Sequence, residues 1–466
     1  MNKTKELLSN SIYFFIGNIG AKFFVFLLVP LYTSYLSKAE YGNADLVTNA
    51  INLIVPIFTI AVYEGVFRFV ISGDAYKEVL HIGVVNITLS AVIVIIVGAL
   101  VYLIFGNILE VLFIVIVQII LMGYRYLFSY YAKARGNNKL YVTDSVLYAM
   151  VLFGLSYLFI CVLGMGIRGY FLAFIGATLF SVVMLIVGIK QDIIKIKYNK
   201  SLAKNICLYS LPIMINTIAQ WVANFSDRVM LRVFVSDEAT GIYAAASKIP
   251  AILTVVFSVF LQAWTISSIK DYEGEKDEGF YKKTFETYTF VCALIVAVSI
   301  SFSNIVMKVY VGEEFQDSTC YVPLLIVNSV IVSYIGFFGA IYSAAKKSKS
   351  VALTTIYAAV LNVVLNILLI PRLDILGAII ATIVSHFIFW VYRIYDTRKW
   401  FAFSFNGVKV IIELGLVLIQ SIIIMLCNDV TTLIFVNIAI VVCILVINRK
   451  CIGSIIDKIR KLCKRK

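Results

Sequence analysis

The sequence predicts an all-α integral membrane protein with about fourteen transmembrane helices. Composition is the first reason: 61% of the 466 residues are hydrophobic and only 14% are charged, with a mean hydropathy of +0.96. A soluble core cannot hide that much apolar surface, so long apolar runs belong in a bilayer. Pattern is the second reason. AVIVIIVGALVYLIF (91–105) is apolar on every face and lacks the alternation of a membrane strand. The third is that Pro (6) is scarce, so few segments are interrupted.

Apolar windows place spans near 10–36, 42–70, 79–105, 108–131, 143–164, 168–189, 206–235, 240–268, 285–307, 320–344, 350–371, 374–395, 405–427 and 429–448. The start, MNKTKELLSNSIYFF, runs into a stretch longer than a signal-peptide core, so the first helix is expected to stay. Alternate connections are strongly basic: AKARGNNK (132–139), KQDIIKIKYNKSLAK (190–204), SAAKKSKS (343–350), YRIYDTRKW (392–400) and the tail from 448. The others, such as SKAE (37–40), VSDEAT (235–240) and PRLD (371–374), are not. Of the 40 basic residues about 29 fall on the first side and about 4 on the second. Basic loops stay in the cytoplasm, so both termini are expected inside; the Lys-, Ile- and Asn-rich composition suggests a bacterial host and hence its cytoplasmic membrane. The net charge of +14 then reflects topology and contact with membrane lipid, not nucleic acid.

Several function classes drop out. The eight cysteines are scattered and the two histidines, His81 and His386, lie far apart, so neither a metal site nor a cofactor is expected. No GxxxxGK[ST] phosphate loop occurs. The longest loops, about 15 residues, are too short for a catalytic domain, so the protein is not expected to be an enzyme.

Two stretches read alike. SYLSKAEYGNADL (34–46) and VFVSDEATGIYAA (233–245) both give an aromatic, an aliphatic, Ser, a short turn and then Gly opening a helix. YAKARGNNKLY (131–141) pairs with SAAKKSKSVAL (343–353) in the same way. Spans 1–6 and 7–12 therefore read as two six-helix bundles inserted the same way up, related by a pseudo-two-fold along the membrane normal. The implied divisions are 1–190, a basic linker 191–205, 206–396, an extra helix pair 397–448 and a basic tail 449–466.

Charges inside the spans mark candidate function. In QWVANFSDRVMLRVF (220–234), Asp227 and Arg228 are adjacent and Arg232 follows one turn on. At about 100° per residue, Asn216, Gln220, Asn224 and Asp227 share a face. Span one carries Asn18 and Lys22. Span two lines up Asp45, Asn49, Asn52, Thr59 and Tyr63. Span four has Gln118 and Arg125, and span eight has Ser247, Lys248, Thr254, Ser258 and Thr265. Lys22, Arg68, Arg125, Arg228, Arg232 and Lys248 outnumber Asp45, Glu64, Asp144 and Asp227, which suits a polyanionic cargo in one wetted cavity. Each has a plainer alternative. Asp227 with Arg228, or Glu64 with Arg68, could be local pairs. Arg68, Arg232 and Lys248 could snorkel to headgroups, and the Asn, Ser and Thr stripes could be interhelical glue.

The run WVANFSDRVMLRVFVSDEATGIYAAASKIPAILTVVFSVFLQAW (221–264) resembles the second-half signature of the Wzx-type polysaccharide-repeat flippases. GNIGAKFFVFLLVPLYTSYLSKAEYGNADL (17–46) resembles their start. These flippases are a branch of the multidrug/oligosaccharidyl-lipid/polysaccharide exporter superfamily. The resemblance implies a MATE-like fold and a cargo of undecaprenyl-pyrophosphate-linked oligosaccharide. That cargo would be flipped from the inner to the outer leaflet by alternating access through a cationic cavity. Lys22, Asp227, Arg228 and Lys248 match the family's cavity residues. A proton or sodium ion at Asp45, Glu64 or Asp227 is an expected coupling ion, and other polysaccharide-assembly proteins are expected partners. Many members have twelve spans. Fourteen matches the related lipid II flippases, whose extra pair forms a groove for a lipid tail. The alternative within the superfamily is a cation-coupled multidrug exporter, which would want a more acidic cavity.

Overall fold

The computed structural model describes residues 20–73, 75–106, 109–193, 198–273, 277–345, 347–427 and 429–453. Among them there is no strand. The chain divides into two compact units, Met1–Val222 and Ala223–Lys466. The beginning of the first expected span, with Asn18, and the tail from 454 lie outside the described residues.

The first unit holds α1 (Gly20–Tyr35), α2 (Lys38–Phe58), α3 (Val62–Ile71), α4 (Tyr76–Phe105), α5 (Leu109–Ala134), α6 (Asn138–Ser156) and α7 (Gly166–Ile189). Helix α8 (Lys200–Phe234) begins there. Ser37 opens α2 with a capping box: its hydroxyl takes the Glu40 amide at 3.2 Å, and the Glu40 carboxylate takes the Ser37 amide at 3.0 Å. The core of this unit is built on Val66, Leu80, Ile82, Leu127, Phe128 and Ile206, all buried.

The second expected span, 42–70, is not one helix. It breaks after Phe58, and α2 and α3 diverge by 59°. Pro56 supplies no N–H, and the Thr59 hydroxyl donates to the Val55 carbonyl at 2.7 Å. Ile60 and Ala61 then take positive φ, 52° and 47°. Bilayer-depth backbone of this kind survives only where protein covers it, and Thr59, Ala61 and Val62 are buried.

The second unit holds α9 (Asp237–Ala246), α10 (Lys248–Glu273), α11 (Glu278–Tyr310), α12 (Val322–Ala344), α13 (Ser348–Thr397), α14 (Gly407–Leu426) and α15 (Val430–Ile447). Ser236 caps α9 by accepting the Ala239 amide at 3.0 Å, so the two similar stretches of sequence use serine in the same way. Helix α12 is apolar all round, and 78% of its most hydrophobic window is buried, as expected of a helix enclosed by its neighbours. Against it packs an aromatic cluster: Trp264 stacks on Phe337 at 4.3 Å, and Phe285 lies 4.9 Å from Phe337. The connection into α14 is extended rather than helical. Its Phe401 and Phe403 are buried while Ala402 and Ser404 are exposed, the alternation an extended chain imposes.

Helix α13 is two antiparallel limbs. Asp374 turns the chain with φ 51° and ψ −128°, and Gly377 passes so close to Leu369 that a Cβ would run into its carbonyl. Asn362 thereby meets Thr382, and Thr354 meets Arg393. Eleven described helices are long and apolar enough to cross a membrane, or twelve with the bent α2–α3 pair counted as one. Dividing α13 into its limbs and adding the shorter α1 gives a helix for each expected span, and the chain is an all-α membrane protein of about fourteen spans.

Candidate functional site

Among the described residues, each unit contains a buried polar cluster built around a charge that the sequence had marked. In the second unit the cluster centres on Asp227, which is 2% exposed. Its carboxylate accepts the Tyr243 hydroxyl of α9 at 2.8 Å, the Thr382 hydroxyl of the second α13 limb at 2.7 Å and the Asn366 amide of the first limb at 2.6 Å. Asn362 extends the network: its Oδ1 accepts from Ser226 at 2.8 Å and from Asn366 at 3.0 Å, and its amide donates to Thr382 at 3.1 Å. On the second limb His386 Nδ1 lies 2.8 Å from Asn328 Oδ1 of α12. A carboxylate out of water needs its lone pairs filled, and here neutral donors from three helical segments do so.

Arg228 is the next residue but leaves the helix about 100° further round. Its guanidinium donates to the Ser247 hydroxyl at 2.9 Å. It also lies 4.9 Å from the Phe225 ring centre and 5.6 Å from that of Tyr243. Tyr243 thus offers its hydroxyl to the acid and its ring to the base. Ser247 sits at the break between α9 and α10, where Lys248 begins the next helix half-buried. Arg232 ion-pairs with Asp237 at 2.9 Å at the end of α8. The Thr254, Ser258 and Thr265 hydroxyls donate to carbonyls of their own helix.

In the first unit, Arg125 of α5 donates from Nε to the Ser181 hydroxyl of α7 at 2.8 Å. It pairs with Asp144 of α6 at 3.4 Å, and Ser181 closes the triangle by donating to Asp144. The guanidinium carbon lies over the Tyr148 ring, 3.6 Å from its centre. Two turns away on α5, Gln118 donates to Thr178 at 2.9 Å. The sequence marked Arg125 and Asp144 without joining them.

The remaining expected residues are dispersed. Asp45 is buried and accepts Asn49 Nδ2 at 3.0 Å on its own helix. Glu64 lies beside Tyr130 of α5 and, among the described residues, forms no ion pair with Arg68, which is exposed. Lys22 is exposed on α1, with no hydrogen-bond or ion-pair partner among the described residues. Asn52 is exposed, 3.5 Å from the Tyr126 hydroxyl; Asn216 is half-buried and Gln220 exposed. The Asn224 side chain is outside the described residues. Sequence reasoning missed Tyr243, Asn362, Asn366 and Thr382. Asn362 and Asn366 are one turn apart in an apolar run, a signal that was available. Thr382 and Tyr243 gave none.

Among solved structures, the chain is similar to a lipid II flippase, MurJ, in an inward closed conformation (TM-score 0.66, 16% identity, covering 96% of this chain and 100% of that one). It is also similar to an inward-facing multidrug resistance MATE transporter (TM-score 0.61, 15% identity, covering 82% and 93%). At these identities the likeness is one of fold. The chain is thus a multi-pass membrane protein with a MATE-like fold. The profile of the polysaccharide biosynthesis protein family matches residues 7–269, and the chain belongs to that family. An uncharacterised membrane protein of Methanocaldococcus jannaschii is 23% identical over 222 residues, 46% of this chain and 43% of its own. The "probable low-salt glycan biosynthesis flippase" Agl15 of Haloferax volcanii is 22% identical over 187 residues, 39% of each. The chain spans less than half the length of either relative. Both are archaeal, so similarity to this chain extends beyond bacteria.

Proposed function

We propose that the protein is a flippase for a lipid-linked glycan precursor, moving an undecaprenyl-pyrophosphate-linked oligosaccharide from the cytoplasmic to the outer leaflet. Membership of a polysaccharide biosynthesis family and a relative named as a glycan flippase support the class. The observation that carries an anionic cargo is Lys22, a cation inside an apolar span with no counter-ion among the described residues. An ammonium held in such a place is costly unless a visiting anion or water compensates it. In this reading Lys22, Arg125, Arg228, Lys248 and Arg68 supply a cationic path for the pyrophosphate, and Asn52, Asn216 and Gln220 meet sugar hydroxyls. Two bundles alternate between inward and outward access, with both termini in the cytoplasm of a bacterial cell. Coupling to a proton or sodium ion would run through Asp45, Glu64 or Asp227.

The test is made in the native host with the gene removed. Lipid-linked oligosaccharides are extracted, and an impermeant glycosidase reports which leaflet holds them. Accumulation of a completed repeat on the cytoplasmic face is expected, and its mass identifies the cargo. Normal pools on both faces would favour the multidrug exporter, whose fold is shared, and cation efflux would be assayed next.

A further inference from the structure

Two cavities of the second unit share a wall on α11, and neither belongs to the clusters described above. One, of about 400 Å³, is an apolar groove between α10 and α11, lined by Val256, Phe260, Phe280, Val291 and Ile295. Its floor is the Phe260–Tyr288 stack, with ring centres 4.2 Å apart. The other, of about 490 Å³, is a cleft between the start of α11, the start of α14 and the end of α15. Lys283, Lys409, Arg449 and Lys450 line it, against one lining acid, Glu286. Lys283 and Thr287, one turn apart on α11, line both cavities.

The other charge facing the cleft is accounted for. Lys409 stands 3.9 Å from Glu413, a fully buried carboxylate one turn further into α14. Asn448 satisfies one Glu413 oxygen at 2.8 Å. Lys283, Arg449 and Lys450 are exposed, and no described carboxylate pairs with them. Asn406 caps α14 by accepting the Lys409 amide at 3.0 Å, so the positive end of that helix dipole adds to the same field. The cleft also lies where a headgroup would be. It joins the first turns of α11 and α14 to the last of α15, which is the basic, cytoplasmic end by loop charge.

We propose that this pair of cavities binds one anionic phospholipid of the surrounding bilayer, with its phosphate in the cleft and an acyl chain in the groove. A basic pocket between spans at the cytoplasmic face is the expected receptor for an acidic headgroup. Continuity with an apolar groove through Lys283 selects an amphiphile over a soluble anion or an acidic peptide. The chain's own end is excluded by sign, because residues 454–466 carry Lys458, Arg460, Lys461, Lys464, Arg465 and Lys466 against Asp457 alone. The site is separate from the proposed cargo path and does not depend on what the protein transports.

The full-length protein, delipidated in mild detergent, is titrated with phosphatidylglycerol or phosphatidylcholine of equal chain length and examined by native mass spectrometry. One phosphatidylglycerol is expected to stay bound, at least tenfold tighter than phosphatidylcholine. Lys283→Ala with Arg449→Ala should weaken it at least tenfold, Lys283→Arg should not, and Val291→Trp should block it while the thermal unfolding temperature stays unchanged. Equal retention of both lipids, or wild-type binding by the folded double variant, would overturn the proposal. So would displacement by inorganic phosphate, which would mark a free-anion site, or displacement by an equimolar polyprenyl phosphate, which would mark a cargo site.

Discussion

Tyr243 donates its hydroxyl to Asp227 at 2.8 Å while the centre of its ring stands 5.6 Å from the Arg228 guanidinium. One aromatic side chain therefore serves two neighbouring opposite charges. The acid is held by neutral donors and the base by a ring face and a serine.

Asp227→Ala should be strongly destabilising, because it strands the donors of Tyr243, Asn366 and Thr382 in a dry interior. A loss of about 3 kcal/mol is expected. Asp227→Asn keeps an acceptor oxygen but turns the second oxygen into a donor facing donors, so it should lose a smaller part of this. Detergent-solubilised thermal unfolding orders the variants. Equal stability of wild type and Asp227→Ala would remove the network from any structural account.

Tyr243→Phe separates the two functions of that residue. The ring stays for Arg228 and the hydrogen bond to the carboxylate goes, at a cost of about 2 kcal/mol. Tyr243→Leu removes both and should unfold at a lower temperature still. If the two variants unfold together, the ring face contributes nothing.

Arg125 separates glue from cargo binding. Arg125→Ala leaves Asp144 buried without its cation and should cost about 4 kcal/mol. The double substitution Arg125→Met, Asp144→Leu should recover most of that stability. A stable double variant that no longer flips its lipid-linked oligosaccharide assigns Arg125 to the cargo, whereas one that flips normally makes the pair structural. Lys22 has no such partner among the described residues, so Lys22→Ala should abolish transport at normal protein levels.

Gly377→Ala should act on the site from a distance. A methyl group there meets the Leu369 carbonyl, so the limbs of α13 must part. Thr382 then retreats from Asn362 and Asp227. Unfolding temperature should fall, and crosslinking between cysteines placed at 362 and 382 should slow. Unchanged crosslinking would show that the turn absorbs the methyl group.

The start of α15 should respond to pH. Asp429 caps it, accepting the Thr432 hydroxyl at 2.6 Å and the Thr432 amide at 2.8 Å. These bonds, the hydroxyl first, hold its carboxyl below the ordinary aspartate range. A depressed acid stabilises above its unfolded pKa and loses that contribution as pH falls through the folded value. Amide exchange at Thr432 should therefore be slow near neutrality and rise, relative to intrinsic rates, in strong acid. Asp429→Asn should remove the pH dependence while keeping the cap.

What the sequence alone determined is whatever depends on near neighbours. Apolar run length sets a span, so the helices lie where hydropathy places them, and Ser37 and Ser236 cap helices because a cap needs only the next turn. The break at Ile60–Ala61 was half legible in Pro56. The reversal within α13 was expected, because the apolar windows 350–371 and 374–395 are joined by the short connection PRLD. What only the tertiary structure decided is which polar groups satisfy which charges. The partners of Asp227 come from positions 16, 139 and 155 residues away, and Arg125 finds Asp144 and Ser181 on two other helices. Helical periodicity assigns a side chain to a face but does not say which helix stands opposite. In a bilayer the electrostatic cost of a buried charge is set by that neighbour, so the candidate sites became readable only once the helices were packed.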